Sequence, residues 1–175
     1  MGRRQSRSAA TGSEHPTEAA AQPLTGSPEE VRRLLLWAET DSGAATAWAD
    51  ARTDPAARRE ALQTVCFKIA EQDPRGALTM AEAFGFDDAE GVVENLVAQW
   101  SAKDPEAALG WVANRPPGDA RDAAIARVAF AVSASDPAEA AHLIKVNMTG
   151  TAAQADALAS VVGRWSDQIK NRDVP

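Results

Sequence analysis

The chain has one cysteine, two histidines and no tyrosine among its 175 residues. One cysteine excludes an internal disulfide framework. Two histidines and one cysteine are too few for a Cys/His zinc site. Basic residues are in deficit: 18 Lys+Arg stand against 25 Asp+Glu, a net charge of −7. A dedicated nucleic-acid or anionic-membrane binder needs a basic face, so neither partner is expected. No apolar run approaches the ~18 residues that a membrane span requires. Strand signals are scarce, because alanine is abundant and no stretch alternates apolar and polar residues. No GxxxxGK[ST], GxGxxG, GxSxG or HExxH pattern occurs.

Apolar residues make up 45% of the chain and charged residues 25%, enough apolar content for a core of one domain. Residues 1–27 are rich in Ser, Thr, Gly, Pro and Ala, without apolar periodicity, and read as a disordered tail. Arg3, Arg4 and Arg7 are followed by no hydrophobic stretch, so no secretory signal is expected and a cytoplasmic location follows. Arg3-Arg4-Gln5-Ser6 resembles a basophilic kinase site, although a solubilising tail accounts for it more simply. The tail's three Arg against Glu14 and Glu18 give it +1, which leaves about −8 on residues 28–175.

Those residues contain an internal repeat. Asp-Pro occurs at Asp73-Pro74, Asp104-Pro105 and Asp136-Pro137, at nearly equal intervals, and Asp41 stands one such interval before Asp73. Four positions after each Asp comes Ala: Ala45, Ala77, Ala108 and Ala140. Seven positions after comes a bulky apolar residue: Trp48, Met80, Trp111 and Leu143. Four positions before comes another: Trp37, Ile69, Trp100 and Val132. Seven or eight before lie Leu34, Val65 with Cys66, Leu96 with Val97, and Val128. Trp165, preceded by Val161 and Val162, begins a truncated fifth repeat.

The columns have a physical meaning. Asp caps a short helix whose first residue is Pro. Ala at +4 shares a face with the bulky residue at +7 or +8, so a neighbouring helix can approach closely beside a filled space. Apolar residues at −11, −8, −7 and −4 mark one face of a longer helix. Each repeat is therefore a long helix, a tight corner at Asp-Pro and a short helix. Ser27-Pro28-Glu29-Glu30 carries the cap, first-turn proline and capping-box Glu of a helix start. Helices are predicted at 28–39, 42–51, 55–71, 74–84, 88–102, 105–115, 119–134, 137–147 and 151–170. The expected fold is all-α: a right-handed α-solenoid of about four and a half hairpins with a period of about 31–33 residues, about nine helices and no sheet.

A second period overlies the first. Trp recurs in every second repeat, at Trp37, Trp100 and Trp165 and again at Trp48 and Trp111; Ala57-Arg58 and Ala120-Arg121 share the spacing. Either a two-repeat unit was duplicated or large and small residues alternate between layers.

The stretch Lys103-Asp-Pro-Glu-Ala-Ala-Leu-Gly-Trp111 resembles tetratricopeptide repeats, which carry Pro at a helix junction and an aromatic six residues later. The resemblance covers the junctions, about a third of each repeat. The period is shorter than that family's 34, the helix after Asp-Pro is shorter, and Asn114 and Arg115 replace its leucine-glycine pair. Ile69, Trp100 and Val132 stand where that family prefers Ala. The chain also looks like the Asp-Pro- and Trp-rich helical repeats of uncharacterised bacterial proteins. The resemblance implies a tetratricopeptide-like or HEAT-like array that binds other proteins.

Reactive groups are few. Cys66 lies on an apolar helix face and reads as a buried thiol, with no basic partner in motif relation. His142, beside Leu143, reads as solvent-facing or packed, and His15 lies in the tail. Asp41, Asp54, Asp73, Asp104, Asp119 and Asp136 are expected caps, with Glu139 completing a box at Asp136. Asp87-Asp88 lacks the ligand count of a calcium loop. Gly85 and Gly91 are too far apart for a phosphate cradle, and the five Trp read as core packing. Arg58, Arg59, Arg115, Arg121, Arg127 and Arg164 are interspersed with acids and read as a solvated surface.

No catalytic, cofactor-binding or metal-ligating residue is therefore expected. The leading reading is a non-enzymatic scaffold that binds a protein or peptide, with a basic segment favoured by charge. The second is a regulatory or assembly subunit whose incomplete fifth repeat docks on a larger complex. An enzyme, or a HEAT-like nucleic-acid binder, ranks last.

Overall fold

The computed structural model describes residues 27–86 and 91–172. Among them are nine α-helices and no strand: α1 Pro28–Thr40, α2 Ser42–Asp50, α3 Pro55–Ile69, α4 Pro74–Ala83, α5 Val92–Ser101, α6 Pro105–Ala113, α7 Asp119–Val132, α8 Pro137–Asn147 and α9 Thr151–Arg172. The helix ends fall close to the predicted positions. The expected start of α5 at 88, the Asp87-Asp88 pair and the tail up to residue 26 lie outside the described residues.

The four repeat Asp residues make one corner four times. Asp41, Asp73, Asp104 and Asp136 have φ between −148 and −130 and ψ between 81 and 91. Each backbone N–H donates backward to the −4 carbonyl, of Trp37, Ile69, Trp100 and Val132, at 2.8 to 2.9 Å. Each carbonyl accepts forward from the +4 Ala N–H, at 3.0 to 3.2 Å. The side chain accepts from Ala44, Gly76, Ala107 and Glu139 N–H at 2.9 to 3.0 Å. One residue thus ends the long helix and starts the short one. Pro follows at three of the corners, where a first-turn residue has no intrahelical partner for an N–H.

Ser27 and Asp54 cap α1 and α3 in the same way, accepting from Glu30 and Ala57 N–H at 3.3 and 2.7 Å. Asp119 does not cap. It is the first residue of α7, and Gly118, at φ 153, occupies the cap position without a side chain to offer. The box expected between Glu139 and Asp136 is also corrected, because the Asp136 N–H goes to the Val132 carbonyl at 2.9 Å.

The core follows the repeat columns. Ala45, Ala77, Ala108 and Ala140 at +4 are fully buried. The innermost partner column is +8 (Ala49, Ala81, Val112, Ile144), also fully buried, and the bulky +7 column flanks it half-buried. The spacing of four places +4 and +8 one helical turn apart on one face. In the long helices Val65, Leu96, Val128 and Val161 at −8 are buried, as are Leu34, Cys66, Val97 and Ala129 at −7. A small residue at −3 is buried in each of the first four repeats: Ala38, Ala70, Ser101 and Ser133.

Each helix packs on the next in sequence, and α1 on α3, α5 on α7 and α7 on α9. Side-chain ties between repeats span about one period. Lys103 Nζ donates to the Glu71 carbonyl at 2.9 Å, and Gln168 Nε2 to the Ala134 carbonyl at 3.3 Å. Both donors occupy −1 and both acceptors −2 of the preceding repeat, which fixes the register of α9. Lys68 reaches Glu39 at 3.5 Å and Glu71 at 2.6 Å. Its hydrogen bond to Glu71, aided by the Glu39 charge, holds the ammonium above its ordinary range.

Loops between repeats are pinned from the long helices. Asp122, buried in α7, accepts Gly150 N–H at 2.6 Å and Thr149 N–H at 3.0 Å. The equivalent residue of α3, Arg59, reaches the Gly85 carbonyl at 3.4 Å and lies over the Phe86 ring at 4.9 Å. Gly85, at φ 70, lets the Phe86 N–H close back onto the Ala81 carbonyl at 2.9 Å and bury its ring.

Candidate functional site

The short helices carry the bulky +7 column, and two of its members form a repeated device. The Arg52 guanidinium lies 4.1 Å from the Trp48 ring centroid, and Arg115 lies 4.7 Å from that of Trp111. Both are i,i+4 pairs running from +7 to +11, and they stand two repeats apart. A guanidinium over an indole face gains cation–π attraction and shields the ring from water. Trp48 also meets Trp37 edge-on, with centroids 6.0 Å apart. Burial lowers the Arg52 pKa from its ordinary value while the Glu30 charge opposes the change.

At the second of these pairs the surface opens into a cleft of about 410 Å³ between α4 and the end of α6. Arg75, Glu82, Trp111, Asn114, Arg115 and Pro116 line it. Arg115 is ion-paired with Glu82, which ties the end of α6 to α4. Asn114 Nδ2 donates to the Gly110 carbonyl at 2.7 Å. Arg75 stands exposed in the first turn of α4. Two guanidinium groups against one carboxylate make the cleft locally positive on a chain that is acidic overall. The arrangement suits a carboxylate beside an apolar side chain.

The other residues singled out in the sequence are dispersed. Cys66 is fully buried, and burial pushes its thiol up to about 12. His142 is exposed on α8. Among the described residues no group of three or more His, Cys, Asp or Glu is placed to hold a metal ion, and no helix is long and apolar enough to cross a membrane.

The arginines are more than a solvated surface. Arg58 Nε donates to Asp50 at 2.8 Å, Arg127 pairs with Glu94 at 3.3 Å, and Arg164 donates to the Phe130 carbonyl at 2.9 Å with its guanidinium over that ring. Arg121 occupies the place of Arg58 one double repeat later, but Ala113 stands where Asp50 would be, and its Nε is buried without a hydrogen-bond partner.

Trp100 is buried, and Trp37, Trp48 and Trp111 pack half-buried against the core. Trp165 departs from the core reading, being 50% exposed. Sequence reasoning passed over the cleft residues Arg75, Glu82 and Asn114. The signal available was the recurrence of Trp-x-x-x-Arg at the same position of alternate repeats.

Compared with known proteins, the chain matches no family model, no curated protein and no solved structure.

Proposed function

We propose that the chain is a non-enzymatic helical-repeat scaffold that binds a protein or peptide partner along its short helices. In this reading the nine helices form a right-handed, tetratricopeptide-like or HEAT-like solenoid of about four and a half hairpins. The observation that carries it is the spacing of the ties between segments. Lys103 to Glu71, Arg115 to Glu82, Arg127 to Glu94 and Gln168 to Ala134 each span 32 to 34 residues. Contacts between neighbouring repeats build an extended array whose surface, not a pocket of reactive groups, does the work. A cytoplasmic location belongs to the same proposal, in keeping with the single unpaired cysteine.

The α4–α6 cleft is one shaped part of that surface. Arg75 is suited to the carboxylate of a bound segment, with the Trp111 edge beside its apolar neighbour. The net charge of −7 on the chain favours Lys and Arg in the flanks of the same segment. Panning a random peptide library on the full chain tests the proposal. The expected result is enrichment of an acidic residue next to an apolar one, with binding lost in the double variant Arg75→Glu/Trp111→Ala. Failure to enrich any motif, or undiminished binding by the double variant, would remove the cleft from consideration.

A second reading, an assembly or regulatory subunit that docks on a larger complex, is favoured by the exposed apolar side of α9.

A further inference from the structure

Arg58 and Arg121 occupy equivalent places in α3 and α7, two repeats apart. Asp50 and Ala113 are the last residues of the short helices that precede them. At the first junction the guanidinium is filled. Arg58 Nε and Nη2 both donate to one oxygen of the Asp50 carboxylate, at 2.8 and 2.5 Å. At the second junction the carboxylate is gone. Among the described residues Arg121 has no hydrogen-bond or ion-pair partner, and its Nε is buried. A buried N–H is costly until an acceptor reaches it. The side chain as a whole is half-buried and Ala113 is exposed. The place that a carboxylate fills beside Arg58 is therefore open to solvent beside Arg121.

The start of α7 adds to the positive charge. α3 has a second carboxylate at this end, Asp54, which accepts the Ala57 N–H at 2.7 Å. α7 has Pro117 at the equivalent place and Gly118 as its cap, with no side-chain hydrogen bond. The positive end of the α7 dipole thus lacks the capping carboxylate that offsets it in α3. The two acids of the first turn do not take that part. Asp122 is buried against Thr149 and Gly150. Asp119 is exposed and stands two positions from Arg121, a spacing that does not bring side chains together on a helix.

We infer that Arg121, beside the exposed end of α6 at Ala113, is a binding site for a carboxylate supplied from outside the chain. The chemistry is read from Asp50, a planar acid presented to a guanidinium at the junction of a short and a long helix. A carboxylate on a half-buried guanidinium makes charge-assisted hydrogen bonds, which are the stronger class. Its source is an Asp or Glu side chain of a bound polypeptide or a free small acid, and the same atoms receive both. The site is separate from the α4–α6 cleft, whose Arg115 pairs with Glu82 on α4.

The test follows the Arg Nε–H cross-peaks of the full chain by NMR during titration with sodium acetate, against sodium chloride at equal ionic strength. The Arg121 signal is assigned by its loss in Arg121→Lys. It is expected to shift saturably with acetate and not with chloride, while the Arg58 signal, already filled by Asp50, stays in place. Ala113→Asp restores the missing carboxylate. It should move the Arg121 signal toward that of Arg58 before acetate is added, and weaken acetate binding about tenfold or more. Asp50→Ala should make Arg58 respond to acetate as Arg121 does. Unchanged circular dichroism verifies that the variants fold. A capped Gly-Asp-Gly peptide separates the sources: tighter binding than acetate assigns the site to a polypeptide, weaker binding to a free acid. No saturable shift up to about 200 mM acetate overturns the inference. So does an equal response by Arg58 in the unmodified chain, or undiminished acetate binding in Ala113→Asp. Equal affinity for inorganic phosphate also overturns it, because the site would then not select a carboxylate.

Discussion

The Asp122 carboxylate accepts the Gly150 N–H at 2.6 Å across 28 residues of chain, and is itself 1% exposed. It also accepts from the Thr149 N–H and hydroxyl at 3.0 and 3.2 Å. A buried charge holds such a position only when donors converge on it. Asp122→Ala therefore leaves two backbone donors stranded at the start of α9, at a cost of about 2–3 kcal/mol. Urea denaturation measures the loss, and hydrogen exchange should localise it to the amides of Thr149 and Gly150. Asp119→Ala, three residues earlier and exposed, should cost under about 1 kcal/mol. Equal losses for the two substitutions would contradict this account.

The +4 column sets how closely the hairpins stack. Ala108 has no exposed surface, and its side chain lies between α6 and its neighbours. Ala108→Phe asks a close-packed seam to admit a ring, with an expected cost of about 1–3 kcal/mol or more. Leu109→Phe, one position round the same helix and half-buried, should cost less. Thermal denaturation of the two variants compares them directly. A milder effect at 108 than at 109 would mean that the column is not the seam.

Much of this was legible because the corners are local. An Asp with Pro after it, an apolar residue four before and Ala four after leave one backbone solution, since the Asp N–H and carbonyl answer to those two residues. Column spacing gave the buried faces of α3, α5 and α7 for the same reason. The features missed depend on distance in space. Asp122 looks like any first-turn acid, and nothing near it in sequence announces that Thr149 and Gly150 come to it. The capping assigned to Asp119 failed because Gly118 leaves a cap without a side chain, one residue earlier than composition suggests. The cleft went unseen because Arg75 and Glu82 come from one repeat and Arg115 from the next. Trp165 was read from its column as core, but a column predicts burial only where a covering helix is present.

Gly76 offers a prediction in which the repeats supply the control. A Cβ built there would collide with Asp73 Oδ2, which taken alone forbids Gly76→Ala. The clash is with the end of a rotatable side chain, and the equivalent residues Ala44, Ala107 and Glu139 all carry a Cβ. Their caps are intact, at 2.9 to 3.0 Å from Asp41, Asp104 and Asp136. The Asp73 carboxylate is therefore expected to rotate into the position of its counterparts. The remaining effect is glycine's extra unfolded-state freedom, so Gly76→Ala should stabilise the chain by about 0.4–1 kcal/mol. A destabilised variant in urea denaturation would show that the Asp73 corner differs from the other three.

Cys66 makes stability depend on alkaline pH. Burial favours the neutral thiol in the folded chain and pushes its pKa up to about 12, whereas an unfolded thiol ionises near ~8.5. Between those values the folded state holds a proton that the unfolded state has released. The contribution is thus fully present below the unfolded value and is lost as pH rises toward the folded one. The slope from this group approaches about 1.4 kcal/mol per pH unit in that window. Cys66→Ala removes it, so the urea-denaturation difference between the unmodified chain and the variant should shrink steadily above about pH 9. Below that value the difference should stay flat, and it should reflect only the smaller side chain. Lys and Arg titrate in both proteins and cancel from the comparison. In the folded chain at neutral pH the thiol should also resist a thiol-specific reagent until the chain unfolds. A difference that is independent of pH, or a thiol that reacts at the rate of an exposed one, would show that the seam between α3 and its neighbours opens readily.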